Sequence, residues 1–326
     1  MVMAQVLFKL LKAQDPDAII DVAAPNLMGA LVARMPEVRH FIPLPFAHGE
    51  LNLSARYTIG QKLKQENYDQ AIVLPNSFKS ALIPFFAGIK TRTGFLGEMR
   101  IGLLNDWRRL DKTRYPLMIE RFAALCDRER GHPQTLPWPQ LNVAKESLQA
   151  ALTRLNLTRP TTTKPLLALC PGAEYGPAKR WPTAYFAAVA REKLSRGWAV
   201  WIFGSVKEQS LAAEIQQHCN HACVDLTGKT KLDEAIDLLS CSDVVLTNDS
   251  GLMHMAAALQ RKLVVIYGSS SPQFTPPLSN QVEILSLQLS CSPCFERACP
   301  LGHFNCLKQL EPPMVLSAID RLMAHG

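Results

Sequence analysis

No apolar run in this chain approaches the roughly 20 residues that a bilayer-crossing helix needs. The longest candidates, such as the segment 18–24, are strand-sized and interrupted. No basic n-region precedes an apolar stretch at Met1, so a secretory signal is not expected and the cytoplasm is the expected compartment. The chain lacks a zinc-finger or RNA-recognition signature, a solenoid-period repeat and a low-complexity tail. Its Lys and Arg residues are scattered, so the net charge of +7 suits an anionic partner such as a nucleotide without pointing to nucleic acid. In a reducing compartment the nine cysteines are expected as thiols or metal ligands rather than disulfides. Five of them (Cys126, Cys170, Cys219, Cys223 and Cys241) lie in or beside apolar elements and read as reduced core residues.

What is present is a globular composition, 48% hydrophobic and 19% charged, over 326 residues, enough for two cores. Strand and helix patterns alternate throughout, the signature of βαβ units and parallel sheets. Strands are expected at 19–23, 70–74, 166–170, 198–203, 244–247 and 263–267, with helices between them. The proline-flanked polar segment 157–165 is the expected boundary. It gives residues 1–160 as one Rossmann-like domain and 161–326 as a second, with a last helix near 313–325 packing back on the first. The chain opens on a helical apolar stripe (Val2, Met3, Val6, Leu7, Leu10, Leu11) rather than on the strand and glycine-rich loop usual in a doubly wound domain.

The most informative stretch runs from Val244 to His254. A buried-type strand enters the polar turn Asn248-Asp249-Ser250-Gly251 and an apolar helix follows at once. Free N–H groups at such a helix start, placed beyond a strand's C-terminal end, favour a phosphate. An ordinary capped helix uses the same residues. His254, one turn on, faces the same end or sits in the core. The segment 170–182 joins another strand to its helix, and there Lys179 and Arg180 stand where a phosphate can be held. A solvated basic loop has the same composition. Gly204, Ser205, Lys207 and Glu208 end the next strand, where a ribose contact and a plain surface turn are equally open. Thr230 closes a loop without Walker spacing. Gly268 with three serines can donate to a phosphate. In the first half, Asn76, Ser77, Lys79, Arg92 and Arg100 are read on strand-end loops and suit an anionic, hydroxyl-rich acceptor. Cys291, Cys294, Cys299 and Cys306 are spaced like a four-cysteine metal site with spacers tighter than in zinc ribbons, His303 competes as a ligand, and reduced or partly bridged thiols are the alternative.

Together the Asn248–His254 turn, the Pro171–Pro182 loop, the Leu74–Ala81 segment and Tyr267–Pro277 resemble the lipopolysaccharide heptosyltransferases of glycosyltransferase family 9. The resemblance covers essentially the whole chain. It implies an α/β GT-B fold, two Rossmann-like domains facing a cleft. It also implies inverting transfer of L-glycero-D-manno-heptose from ADP-heptose to the inner-core heptose of lipopolysaccharide (heptosyl-Kdo-lipid A), at the inner face of the cytoplasmic membrane, with no required cofactor. Lys179 matches the family's diphosphate lysine, Asp249, Ser250 and Gly251 its donor turn, His254 its histidine one turn on, and Thr230 an adenosine-side contact. Lys179 and Asp249 are therefore the expected catalytic pair. One branch of the family has a glutamate near the ribose at the Ser205–Val206 position, and here Glu208 is the one nearby. The family's base is an aspartate on the first loop, ahead of the first helix, and this chain begins at the residue expected to follow it. Two alternatives to transfer are a sugar-nucleotide binder impaired by the lack of that loop and a sugar-nucleotide epimerase. For the epimerase no clustered acid and histidine set is found.

Overall fold

The computed structural model describes residues 1–47, 49–126, 135–158, 161 and 163–324. It divides into two compact units: Met1, Met3–Val32 and Glu37–Pro137 in the first, Val2, Ala33–Pro36 and Trp138 onward in the second.

In chain order the first unit carries α1 (Gln5–Gln14), β1 (Ile20–Pro25), α2 (Gly29–Val32), β2 (Val38–Leu44), α3 (Leu53–Lys64), β3 (Gln70–Val73), α4 (Leu82–Phe86), β4 (Thr91–Phe95), β5 (Asp106–Arg108) and α5 (Met118–Ala123). β1 pairs with β2, and β3, β4 and β5 form a second ladder, all parallel. The opening stripe buries Val6, Leu7, Phe8 and Leu10 on α1, which packs against α5. The helical apolar pattern of residues 117–127 forms a helix that ends at Ala123, and Asp127 lies outside the described residues.

The second unit carries α6 (Lys145–Arg154), β6 (Leu166–Cys170), α7 (Thr183–Ser195), β7 (Ala199–Ile202), α8 (Gln209–His218), β8 (Val224–Asp225), α9 (Leu232–Leu239), β9 (Val244–Asn248), α10 (Gly251–Ala258), β10 (Lys262–Ile266), β11 (Val282–Leu285), α11 (Asn305–Lys308) and α12 (Pro312–Ala324). Its parallel sheet has the order β11-β10-β9-β6-β7-β8. Every residue of β6 and β9 is buried, because helices cover both faces of a parallel sheet. That is why these strands read as unbroken apolar runs rather than as alternation.

The seam falls at Pro137/Trp138 rather than at 160/161, where Arg159, Pro160 and Thr162 lie outside the described residues. α6 packs on α9. Arg154 at its end donates to Glu234 Oε2 (2.6 Å) and to the Lys229 carbonyl (2.8 Å). Residues 33–36 join this unit because the buried Asp237 carboxylate needs a cation, which Arg34 supplies at 2.5 Å. The last helix, expected to reach the first domain, buries its apolar face on α7, β10 and β11 of its own unit. Its expected end at residue 325 lies outside the described residues.

Val315, Ala318 and Ile319 of α12 are fully buried, so this helix is part of the core and not an appendage. Ile319→Ala is expected to destabilise the second unit by about 2–5 kcal/mol through lost burial and a cavity. The exposed-site control Val206→Ala is expected within roughly 0.5 kcal/mol of wild type. Urea unfolding followed at tryptophan checks both.

Candidate functional site

The sheet of the second unit reverses its direction of growth between β6 and β9. From β6 the chain builds outward through β7 and β8, and from β9 through β10 and β11. Such a switch point opens a crevice beyond the C-terminal strand ends, where ligands of open α/β sheets bind. The two loops that leave it are the Pro171–Pro182 segment and the Asp249-Ser250 turn.

Asn248 joins them. It is fully buried at the end of β9. Its Nδ2 donates to the Pro171 carbonyl (2.8 Å), and its Oδ1 accepts from the Trp181 backbone N–H (3.0 Å). Both ends of the lysine loop are thereby fixed to the neighbouring strand. The Trp181 ring is buried and donates through Nε1 to the Leu310 carbonyl (2.8 Å). Within the loop Lys179 Nζ donates to Asp249 Oδ2 at 2.5 Å, with side-chain exposures of 18% and 5%. The same ammonium stands 5.1 Å from the Tyr175 ring centroid, and the Arg297 guanidinium stands 5.5 Å from it. Tyr175 Oη donates to the Phe295 carbonyl (2.5 Å).

Ser250 caps α10, its Oγ accepting from the Met253 N–H (3.4 Å). A Cβ built at Gly251 would meet nothing within 4 Å, so the first turn of α10 faces open space beside the Lys179–Asp249 pair. His254 lies one turn further in, and burial pushes its pKa down to about 4, so the ring is neutral at neutral pH.

Glu208 follows β7. It is buried and accepts from Ser205 N (2.6 Å) and Ser205 Oγ (2.5 Å), which makes it a capping residue first. Its side chain also lies over Gly172 of the lysine loop, where a Cβ would stand 2.7 Å from Glu208 Cγ. Thr230 is half-buried in the loop after β8. Asp249, Lys179, Glu208 and Thr230 thus follow β9, β6, β7 and β8, four adjacent strands. Three strand spacings span about 14 Å, the length scale of a nucleoside diphosphate. Arg180 differs from its neighbour: its guanidinium is used on the Ala173 carbonyl (3.1 Å).

In the first unit the two arginines read as acceptor contacts serve as internal clamps. Residues 91–95 form strand β4 rather than a loop. Arg92 donates to the carbonyls of Leu103 and Ile89, both at 2.6 Å. Arg100 is fully buried and donates to the Pro75 carbonyl (2.6 Å), Ser80 Oγ (3.1 Å), Asn76 Oδ1 (3.3 Å) and the Phe95 carbonyl. Ser77 and Lys79 are half-buried on the segment that Arg100 anchors. Cys291, Cys294, Cys299 and Cys306 are all unbridged, and with His303 and Ser269 they line one cavity of about 20 Å³.

Sequence reasoning missed Asn248 as the joining residue, and Tyr175 and Arg297 as the aromatic and cationic flank of Lys179. For Asn248 a signal existed: a polar side chain closing an apolar strand has to find partners inside. For Arg297 there was none, because its approach comes from a segment more than a hundred residues away.

The sequence profile of glycosyltransferase family 9 (heptosyltransferase) matches residues 56–305. Lipopolysaccharide heptosyltransferase 2 of Escherichia coli K12 is 44% identical over 333 aligned positions, covering 99% of this chain and 95% of that one. Lipooligosaccharide heptosyltransferase 2 of Haemophilus influenzae is 43% identical, covering 99% and 96%. The solved structure of the E. coli ADP-heptose lipopolysaccharide heptosyltransferase II superposes with a TM-score of 0.87 at 42% identity, covering 100% of this chain and 95% of that one. The chain belongs to glycosyltransferase family 9, the heptosyltransferases, and has their GT-B fold.

Proposed function

We propose that the chain transfers L-glycero-D-manno-heptose, with inversion, from ADP-heptose to the inner-core heptose of lipopolysaccharide, with the donor on the second unit. The observation that carries the reading is the Lys179–Asp249 pair, set beside an open helix start at the switch point of the sheet. Breaking the bond from the sugar to the diphosphate leaves negative charge on the departing ADP. Lys179 and the first N–H groups of α10 are the groups placed to stabilise that charge. Asp249 positions the ammonium. Neutral His254 can donate a hydrogen bond without adding a charge. Glu208 and Thr230 lie on the β7 and β8 side, which is assigned to the ribose and adenine. No metal or other cofactor is assigned a part in transfer. Lys179→Ala is expected to weaken ADP binding about 10- to 100-fold, the size of a charge-assisted hydrogen bond, and to lower kcat at least as much. Calorimetric titration with ADP and steady-state transfer from ADP-heptose measure this. Unchanged affinity and rate would exclude Lys179 from the site.

Burial of His254 has a consequence for stability. Its folded pKa of about 4 lies below the unfolded value near 6.5. Between those limits the unfolded chain holds a proton that the folded one refuses, so stability rises with pH across the window and is lost as pH falls toward 4. The full effect is roughly 3 kcal/mol. His254→Gln is expected to flatten this part of the profile, checked by urea midpoints at pH 5 and pH 7.

The acceptor is a lipid, and among the described residues no helix is long and apolar enough to cross a membrane. The proposed contact is peripheral, through the 97–102 turn of the first unit. Met99 there is 89% exposed and Ile101 69% exposed, while Arg100 between them is buried as the anchor. Glu98 and Met99 both take left-handed backbone angles, and Glu98 ties the turn to exposed Phe78 by accepting its N–H at 2.8 Å. An apolar tip on a basic protein suits an anionic lipid surface. Met99→Asp with Ile101→Asp is expected to abolish most flotation with phosphatidylglycerol vesicles and to leave turnover of a delipidated acceptor fragment intact. Undiminished flotation would rule the turn out.

A further inference from the structure

We propose that Cys291, Cys294, Cys299 and Cys306 bind one thiophilic divalent cation of the zinc class, which fixes the segment 286–304 against the Lys179 loop. This site rests on the second unit's own geometry and not on the proposed donor.

All four cysteines are unbridged and half-buried, and they line one cavity of about 20 Å³. That volume admits a single small species. The Ser269 hydroxyl lines the same cavity, is 1% exposed as a residue, and has no hydrogen-bond partner among the described residues. A buried hydroxyl left without a partner marks a place where something polar is missing. The sulfur of Cys299 faces the backbone N–H groups of Phe304, Leu301, Gly302 and His303, which donate toward it.

His303 is removed from the donor set by its own hydrogen bond. Its Nδ1 accepts from the Asn305 N–H at 3.0 Å, so in the neutral ring Nε2 carries the proton and has no lone pair to offer. Four cysteine sulfurs remain. That set selects a soft, tetrahedral ion over the hard cations. Among the described residues no three Cys, His, Asp or Glu side chains stand close enough to hold a metal ion as they are. The cation therefore has to draw the thiols together, toward sulfur separations of roughly 3.8 Å for metal–sulfur bonds of about 2.3 Å.

The segment needs such a link. Between β11 and α11, residues 286–304 contain neither helix nor strand. Yet the Arg297 carbonyl accepts from Ala178 N (3.1 Å), Phe295 N donates to the Ser269 carbonyl (2.7 Å), and Ser292 Oγ donates to the Gly268 carbonyl (2.6 Å). A run that carries these contacts without a regular ladder gains most from a bound ion, whose binding energy is folding energy.

The test uses the full chain, purified under reducing conditions. Elemental analysis is expected to find about one zinc per chain. After chelation, Co(II) is expected to produce the intense thiolate charge-transfer and visible bands of a tetrahedral sulfur site. Four additional thiols should then react with a disulfide reagent, and tryptic cleavage at the exposed Arg297 should accelerate. Cys299→Ser with Cys306→Ser should remove the cobalt bands. The proposal is overturned if the wild-type protein, reconstituted with zinc or cobalt, holds well under one ion per chain and shows no thiolate bands. It is equally overturned if the bands persist in the double variant. Because the cobalt titration is read on wild-type protein, misfolding of the variant does not decide the outcome.

Discussion

The donor half of the molecule depends on one constraint: β6 and β9 lie side by side, while the chain leaves them toward opposite edges of the sheet. No crossover helix covers the gap between their ends, so two loops must leave together and satisfy each other's backbone groups. Asn248 meets that demand because a single amide both donates and accepts. It takes the Trp181 N–H and gives to the Pro171 carbonyl from a fully buried position. Aspartate at this position would lose the donor, and serine would lose the reach. Because both loop ends are tied to β9, the next residue of β9's chain, Asp249, meets Lys179. The ion pair follows from the topology plus one amide.

Much of this half was legible. β6 and β9 are continuous apolar runs, and their buried spans lie within a residue of the sequence reading. The turn after β9 announced itself by its cap residues. The strands missed, β2, β4, β5, β8 and β11, share a cause. β8 has two residues, β5 has three, β4 opens on Thr91, Arg92 and Thr93, and β2 and β11 are mostly half-exposed and contain charged side chains, so none reads as a buried apolar strand. They are strands because a neighbour offers a ladder, which is tertiary information. The seam between the units was misplaced for a related reason. A proline-flanked polar stretch looks like a linker, but α6 ahead of it has its apolar side used on α9.

The arginines show where residue type alone misleads. Arg92, Arg100 and Arg180 all read as loop cations. Each instead spends its planar fork on protein oxygens, mainly backbone carbonyls of nearby loops. Lysine behaves differently in this protein. Lys179 offers one compact charge that a ligand can share with Asp249, and its ammonium stands over the Tyr175 ring. A guanidinium with several fixed partners cannot turn to a substrate without leaving buried carbonyls unpaired, so the residues available to an anionic ligand are those with the fewest internal bonds.

A loop that must meet a diphosphate is best held before the ligand arrives, since ordering each residue costs about 1–2 kcal/mol. Regular structure cannot do this at a switch point, and the fold uses close backbone contact instead. Gly176 has φ 157° and lies so near the Arg297 carbonyl that any side chain would collide with it. The Ala178 N–H then bonds that same carbonyl at 3.1 Å. The lysine loop is thus preorganised by a segment with no helix or strand of its own. The loop's two ends are fixed by Asn248, and its middle leans on residues 286–304. This dependence is the physical reason to expect a strong local crosslink there, and the cysteines lie where one would act on Lys179 through fewer than ten residues of backbone.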